Sequence, residues 1–182
     1  MRVALYLIAA FVAFLPAVAV SAAAEGDPRA IPLVDQSGRT FRLQDLAGTP
    51  VVVTFIASRC TDACPIANAA FARAYWQMRS DHVRARLVTI TLDPVYDTPA
   101  VMARVAHRFG VSRDGWRFAS GRPKDVRALM RSLGVEAEPD AHGIPEEHTS
   151  FVYLLDRDVR LKRTLLLSTA LTKDIEGVLA ER

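Results

Sequence analysis

The sequence predicts an α/β protein with a central mixed sheet flanked by helices and an N-terminal hairpin, and three observations carry that prediction. Runs of β-branched and apolar residues alternate with stretches whose apolar residues recur at helical spacing. Turn and breaker residues close each run. Near the end, two β runs straddle a short polar turn instead of a helix, which adds antiparallel strands to parallel ones.

Ile31-Pro32-Leu33-Val34 and Thr40-Phe41-Arg42-Leu43 flank Asp35-Gln36-Ser37-Gly38, the composition of a hairpin turn. Val51 to Ala57 is a continuous apolar and β-branched run behind Gly48-Thr49-Pro50, as a strand buried on both faces requires. Pro65 suits the first position of a helix whose stripe is Phe71, Tyr75 and Met78 and whose end falls near Arg79. Arg86 to Leu92 is a second buried strand, parallel to the first through a right-handed crossover. Asp93-Pro94 ends it. Thr98-Pro99 opens a second helix with Val101, Val105 and Phe109 as its stripe and Gly110 as its stop.

Trp116 to Ala119 reads as a short strand, and Pro123 starts a third helix that buries Val126, Leu129, Met130 and Leu133. Glu136 to Thr149 reads as a polar loop. Ser150 to Leu155 and Val159 to Thr164 form a hairpin around Asp156-Arg157-Asp158, and Leu171, Ile175, Val178 and Leu179 mark a closing helix. Met78, Met102 and Met130 fall on helix stripes or their flanks and read as packing residues.

Ahead of this domain, Arg2 is followed by an apolar run to Ala24, the pattern of an export signal or a single membrane anchor. Residues 1–24 are therefore expected to be a cleaved signal peptide or an anchor through residues 3–24, and residues 25–182 a single exported domain. The expected location is the periplasm or the periplasmic face of the inner membrane. The net charge is +3, and Lys and Arg are spread along the chain without aromatic interleaving, which excludes a nucleic-acid footprint.

Both cysteines lie in one stretch, Ser58-Arg59-Cys60-Thr61-Asp62-Ala63-Cys64-Pro65, where the first crossover strand gives way to its helix. Such junctions carry the sites of parallel sheets, because free N–H groups and the helix dipole favour anions, thiolates among them. That placement within this order of elements looks like a thioredoxin-like fold. Cys60 and Cys64 are four residues apart, a spacing that can bring two sulfurs to one point. Cys64 is the expected N-cap, which favours its thiolate, while Asp62 opposes it. In an oxidising compartment the pair forms a disulfide unless a reductase or a metal holds it open.

Thiolates select soft ions such as Cu(I) or zinc, and a neighbouring imidazole adds capacity for Cu(II). Of the four histidines, His82 in a polar connection and His107 on a solvated helix side read as surface residues. His142 and His148 lie in the long loop before Ser150. Should the strand from Ser150 run antiparallel to Val51–Ala57, its start shares the sheet edge with the cysteines and His148 comes within reach; the plainer reading of a loop histidine beside Glu146 and Glu147 is a solvated, salt-bridging group.

The strings Cys60-Thr61-Asp62-Ala63-Cys64-Pro65, Thr91-Leu92-Asp93-Pro94-Val95-Tyr96-Asp97-Thr98, Trp116-Arg117-Phe118 with Gly121, and His148-Thr149-Ser150 running into Val152-Tyr153-Leu154-Leu155-Asp156 together resemble the Sco/SenC family of copper proteins. The resemblance implies a membrane-associated, thioredoxin-like copper chaperone that helps assemble the dinuclear copper centre in subunit II of cytochrome c oxidase. Carried over by motif, the ligands for Cu(I) or Cu(II) are Cys60, Cys64 and His148, and Asp93 matches a position near the site. The chain departs from the family in Ile56-Ala57-Ser58-Arg59, which puts a positive charge beside the first cysteine, and in a spare imidazole, His142.

Three other readings of the cysteines stand beside this one. A structural disulfide would close too short a loop to stabilise much. A thiol:disulfide oxidoreductase, reducing the acceptor's cysteines or acting on other periplasmic copper or thiol-redox proteins, is compatible with the fold but has three residues between its cysteines where two are usual, and needs no histidine. A peroxiredoxin-like peroxidase wants an arginine and threonine constellation that the sequence does not offer. The expected function is thus a copper metallochaperone rather than an enzyme, with Cys60 and Cys64 also able to act as a redox pair.

Overall fold

The computed structural model describes residues 27–60, 63–111, 115–139, 143–148 and 151–181. The leader over residues 1–24 lies outside them. Among the described residues no helix is long and apolar enough to cross a membrane.

The first hairpin pairs β1 (Leu33–Asp35) with β2 (Thr40–Phe41), antiparallel. The turn holds because the buried Asp35 carboxylate accepts Ser37 N–H at 2.8 Å and Arg39 N–H at 3.1 Å. Gly38 takes the φ of +80° that such a turn needs. Next come β3 (Val51–Ile56), α1 (Ala63–Ser80) and β4 (Arg86–Thr91), the crossover unit read from the sequence, with β3 and β4 parallel over six residue pairs from Val51 opposite Arg86 to Ile56 opposite Thr91. Helix α2 (Pro99–Arg108) begins where Thr98 Oγ1 accepts Val101 N–H, and leads to β5 (Trp116–Ser120), parallel to β4.

Helix α3 (Pro123–Ser132) is followed by β6 (Ala137–Pro139) and β7 (Pro145–His148), then by the hairpin of β8 (Phe151–Leu155) and β9 (Leu161–Leu166), and finally by α4 (Leu171–Ala180). The main sheet runs in the order β2-β1-β5-β4-β3-β8-β9, and β6 and β7 make a separate two-stranded sheet. This is the mixed α/β architecture expected, and the fold is thioredoxin-like.

The buried strand β3 explains the two-layered core. Val51, Val53 and Phe55 pack on one face with Val126, Leu129 and Met130 of α3 and with Leu33 and Phe41 of the hairpin. Val52 and Ile56 pack on the other with Phe71, Tyr75 and Met78 of α1, Met102 and Val105 of α2, and Leu171 and Ile175 of α4. Period two along the strand thus feeds both layers. On the second face Trp116 is fully buried, donates Nε1–H to Thr89 Oγ1 at 2.9 Å, and meets Phe71 edge-on at a centroid distance of 5.3 Å.

Several local expectations change. Helix α1 begins at Ala63, so Pro65 is its third residue and Cys64 its second, not its N-cap. Proline is tolerated there because the first N–H groups of a helix have no intrahelical partner. The buried residues of α2 are Met102, Val105 and Ala106, with Val101 and Phe109 only partly covered. The stretch expected to be a polar loop, Glu136 to Thr149, contains β6 and β7. Pairing of Ala137 with His148 and of Glu138 with Glu147 is made by backbone groups in a polar sequence, so no apolar alternation announced it. Met78, Met102 and Met130 are all buried, as packing residues should be.

Candidate metal centre

Strand β3 delivers the first cysteine. Its chain turns immediately after Ile56, and Cys60 N–H closes the turn on Ala57 C=O at 3.2 Å. Cys60 is a free thiol, 7% exposed, packed in the α3-side core with Ala57 and Leu92 as fellow members. Cys64 follows in the first turn of α1, among the free N–H groups at the positive end of the helix dipole. Its side chain lies outside the described residues, as does that of His148.

The antiparallel condition on β8 is met. Strand β8 pairs antiparallel with β3, Val51 opposite Leu155 and Val53 opposite Tyr153, so β8 starts at the end of β3 from which Cys60 issues. His148 is the last residue of β7, separated from Phe151 only by Thr149 and Ser150, which lie outside the described residues. His142 also lies outside them. Among the described residues, no three His, Cys, Asp or Glu side chains form a metal-holding group.

The loop ahead of Cys60 is held by two aspartates from the 91–98 segment. Asp97 is fully buried and accepts from Ser58 N–H at 3.0 Å, from the Ser58 hydroxyl, and from the Thr91 hydroxyl at 2.6 Å. Asp93 lies nearer the surface. Its Oδ2 receives Arg59 Nη2 at 2.5 Å and Nε at 3.2 Å, its Oδ1 receives Tyr96 N–H at 3.3 Å, and Thr91 Oγ1 accepts its own N–H at 2.8 Å. Arg59 completes the arrangement by lying over the Tyr96 ring, 4.7 Å from its centroid, and by reaching Gly143 C=O at 3.5 Å. The Asp93 hydrogen bond, opposed by burial and aided by the charge of Asp93, raises the Arg59 guanidinium above its ordinary pKa.

Sequence reasoning named Asp93 and Arg59 separately, and the structure joins them. It did not assign a role to Asp97, whose signal was a polar pair, Thr91 and Asp97, at the mouth of an otherwise apolar strand. His107 is exposed on the last turn of α2 and His82 is exposed in a turn at φ +57°, both surface residues as expected.

A buried thiol and a second cysteine in a helix's first turn lie at the sheet edge where β8 begins, and thiolates are soft ligands while an imidazole is a borderline one. The family model described as SCO1/SenC matches residues 29–179. The chain belongs to the SCO1/SenC family.

Within that family's neighbourhood, the chain is 25% identical over 127 residues to the SCO1 protein homolog of Bacillus subtilis, covering 68% of this chain and 65%, just under two thirds, of the relative's length. The structure of Bradyrhizobium japonicum ScoI with copper bound superposes with a TM-score of 0.70 at 26% identity, covering 81% of this chain and 96% of that one. BsSco, a member of the Sco family of cytochrome c oxidase assembly proteins in which a disulfide switch was identified, superposes with a TM-score of 0.71 at 18% identity, over 83% of this chain and 92% of its own, and so bears on the fold alone.

Proposed function

We propose that this SCO1/SenC protein is a copper metallochaperone that carries Cu(I) or Cu(II) on the thiolates of Cys60 and Cys64 and an imidazole of His148. The observation that supports it best is convergence at one sheet edge: the free Cys60 thiol follows β3, Cys64 opens α1, and the antiparallel β8 brings the chain in from His148 at that same end. Family membership and the copper-bound Bradyrhizobium relative support copper as the ion. Two thiolates suit Cu(I), and the imidazole lets the same residues keep Cu(II), so cargo survives a change of oxidation state. Cargo leaves by exchange onto the acceptor's own thiolates and imidazoles. The acceptor in this reading is subunit II of cytochrome c oxidase, where the dinuclear copper centre is built.

The reading includes an exported domain, residues 25–182, in the periplasm or on the periplasmic face of the inner membrane, with residues 1–24 cleaved as a signal or kept as an anchor. Asp93 serves it by fixing the loop around Cys60. The test is Cu(II) binding by the reduced protein: Cys60→Ala or Cys64→Ala abolishes tight binding, and His148→Ala weakens Cu(II) far more than Cu(I). An unchanged Cu(II) spectrum in the histidine variant overturns the His148 assignment and points to His142.

One observation favours a second role. Cysteines at the first strand-to-helix junction of a thioredoxin-like fold are placed for thiol–disulfide exchange, so the pair could reduce the acceptor's cysteines before copper is handed over. The same protein can do both, because copper enters only the reduced pair.

A further inference from the structure

The Arg59 side chain joins its own loop to two others at the sheet edge. It belongs to the segment that carries Cys60. Its guanidinium is seated on Asp93 at 2.5 Å and over Tyr96 at 4.7 Å, both in the turn after β4, and it extends to Gly143 C=O at 3.5 Å, in the connection between β6 and β7. A guanidinium can do this because its fork satisfies a carboxylate while its flat face stacks on an aromatic ring and a further N–H remains to donate. Arg59 is 30% exposed and Asp93 11%, so the pair is partly shielded from water.

Gly143 stands two residues before β7, the strand that ends in His148. Both strands of that small sheet are short, and neither pairs with the main sheet. A two-stranded ribbon of three and four residues is marginal alone and takes its position from whatever fastens it. We infer that Arg59 is a positioning residue: anchored on Asp93 and Tyr96, it fastens the β6–β7 ribbon to the cysteine loop and thereby sets where His148 is presented.

The inference rests on the copper reading for its consequence and on the metal-free protein for its proof. Arg59→Ala and Arg59→Lys each remove the link to Gly143, and Arg59→Lys retains the charge beside Cys60. Hydrogen exchange of the metal-free full-length protein reads the fastening directly. Both variants should raise the exchange of the amides of 143, 144 and 146–148 at least tenfold, with the exchange of the core amides of β3 and β4 unchanged. Titration with Cu(II) alone then reads the consequence. Each variant should bind about tenfold more weakly than the parent, and the loss should vanish when the same change is made on His148→Ala, because a residue acting through His148 has nothing left to act on.

Unchanged exchange over 143–148, or an equal Cu(II) loss with and without His148, overturns the inference and leaves the copper reading in place. Failure of the parent protein to bind Cu(II) overturns the copper reading, and the exchange result still decides whether Arg59 fastens the ribbon.

Discussion

The carboxylate of Asp97 accepts the backbone N–H of Ser58 at 3.0 Å, joining positions 39 residues apart in the chain. With the Ser58 and Thr91 hydroxyls as its other donors, this fully buried carboxylate braces the loop that ends in Cys60 against the end of β4. Asp97→Ala strands these donors and should cost about 3 kcal/mol in denaturant unfolding, whereas Asp97→Asn, which keeps an acceptor oxygen, should cost about half of that. Equal losses would mean that the space filled, not the hydrogen bonding, is what matters.

The Asp35 hairpin turn gives the acid limb of stability. Burial by itself would raise the Asp35 carboxyl, but hydrogen bonds from the Ser37 hydroxyl and from the N–H groups of Arg39 and Ser37 outweigh it and hold its pKa below the ordinary value of 3.8. Folding is therefore favoured by the charged form. That contribution is complete above the unfolded-state pKa of about 3.9 and disappears as pH falls through the lower folded value. Melting temperature should drop below about pH 4, and Asp35→Asn should start lower at pH 7 and fall less steeply. An acid limb as steep in the variant as in the parent would assign it to another carboxylate.

Trp116 is the largest fully buried side chain, and its indole N–H is satisfied by Thr89 across two neighbouring strands. Thr89→Val keeps the shape and removes the acceptor, and should cost about 1.5 kcal/mol. Trp116→Ala should cost about 4 kcal/mol, near the limit a domain of this size withstands. Calorimetric melts of both variants check the ordering.

Asp93→Asn separates two roles that the structure combines. Asn keeps an oxygen for Tyr96 N–H but weakens the ion pair with Arg59, and an ion pair with a partner this open to water contributes little to stability. Should the carboxylate matter to the site, Cu(II) affinity should fall with little change in melting temperature. A melting loss with unaltered Cu(II) affinity would make Asp93 a turn residue alone.

Much of this was legible in the sequence because β-branched runs, helix openings at Pro99 and Pro123 and the Asp156–Asp158 turn are local signals. The antiparallel setting of β8 against β3 was a condition in the sequence and is a fact in the structure, since pairing is decided by the whole sheet. The β6–β7 ribbon was illegible: its pairing uses backbone groups between polar residues such as Glu138 and Glu147. The start of α1 was misplaced by two residues because Pro65 marks any position in a first turn, not only the first. The Arg59–Asp93 and Ser58–Asp97 pairs were hidden for a different reason, as contacts 34 and 39 residues apart leave no periodic trace.

The most direct test of the central claim is a titration of the reduced protein with Cu(II), followed by visible absorption and electron paramagnetic resonance. A stoichiometric complex with sulfur-to-copper charge-transfer bands and a nitrogen-bearing signal, lost in Cys60→Ala and in Cys64→Ala, is the result expected of a copper carrier that uses both thiolates and His148. Rapid oxidation of the cysteines to a disulfide with no copper retained would contradict it, and would make the protein a thiol:disulfide oxidoreductase with His148 a bystander.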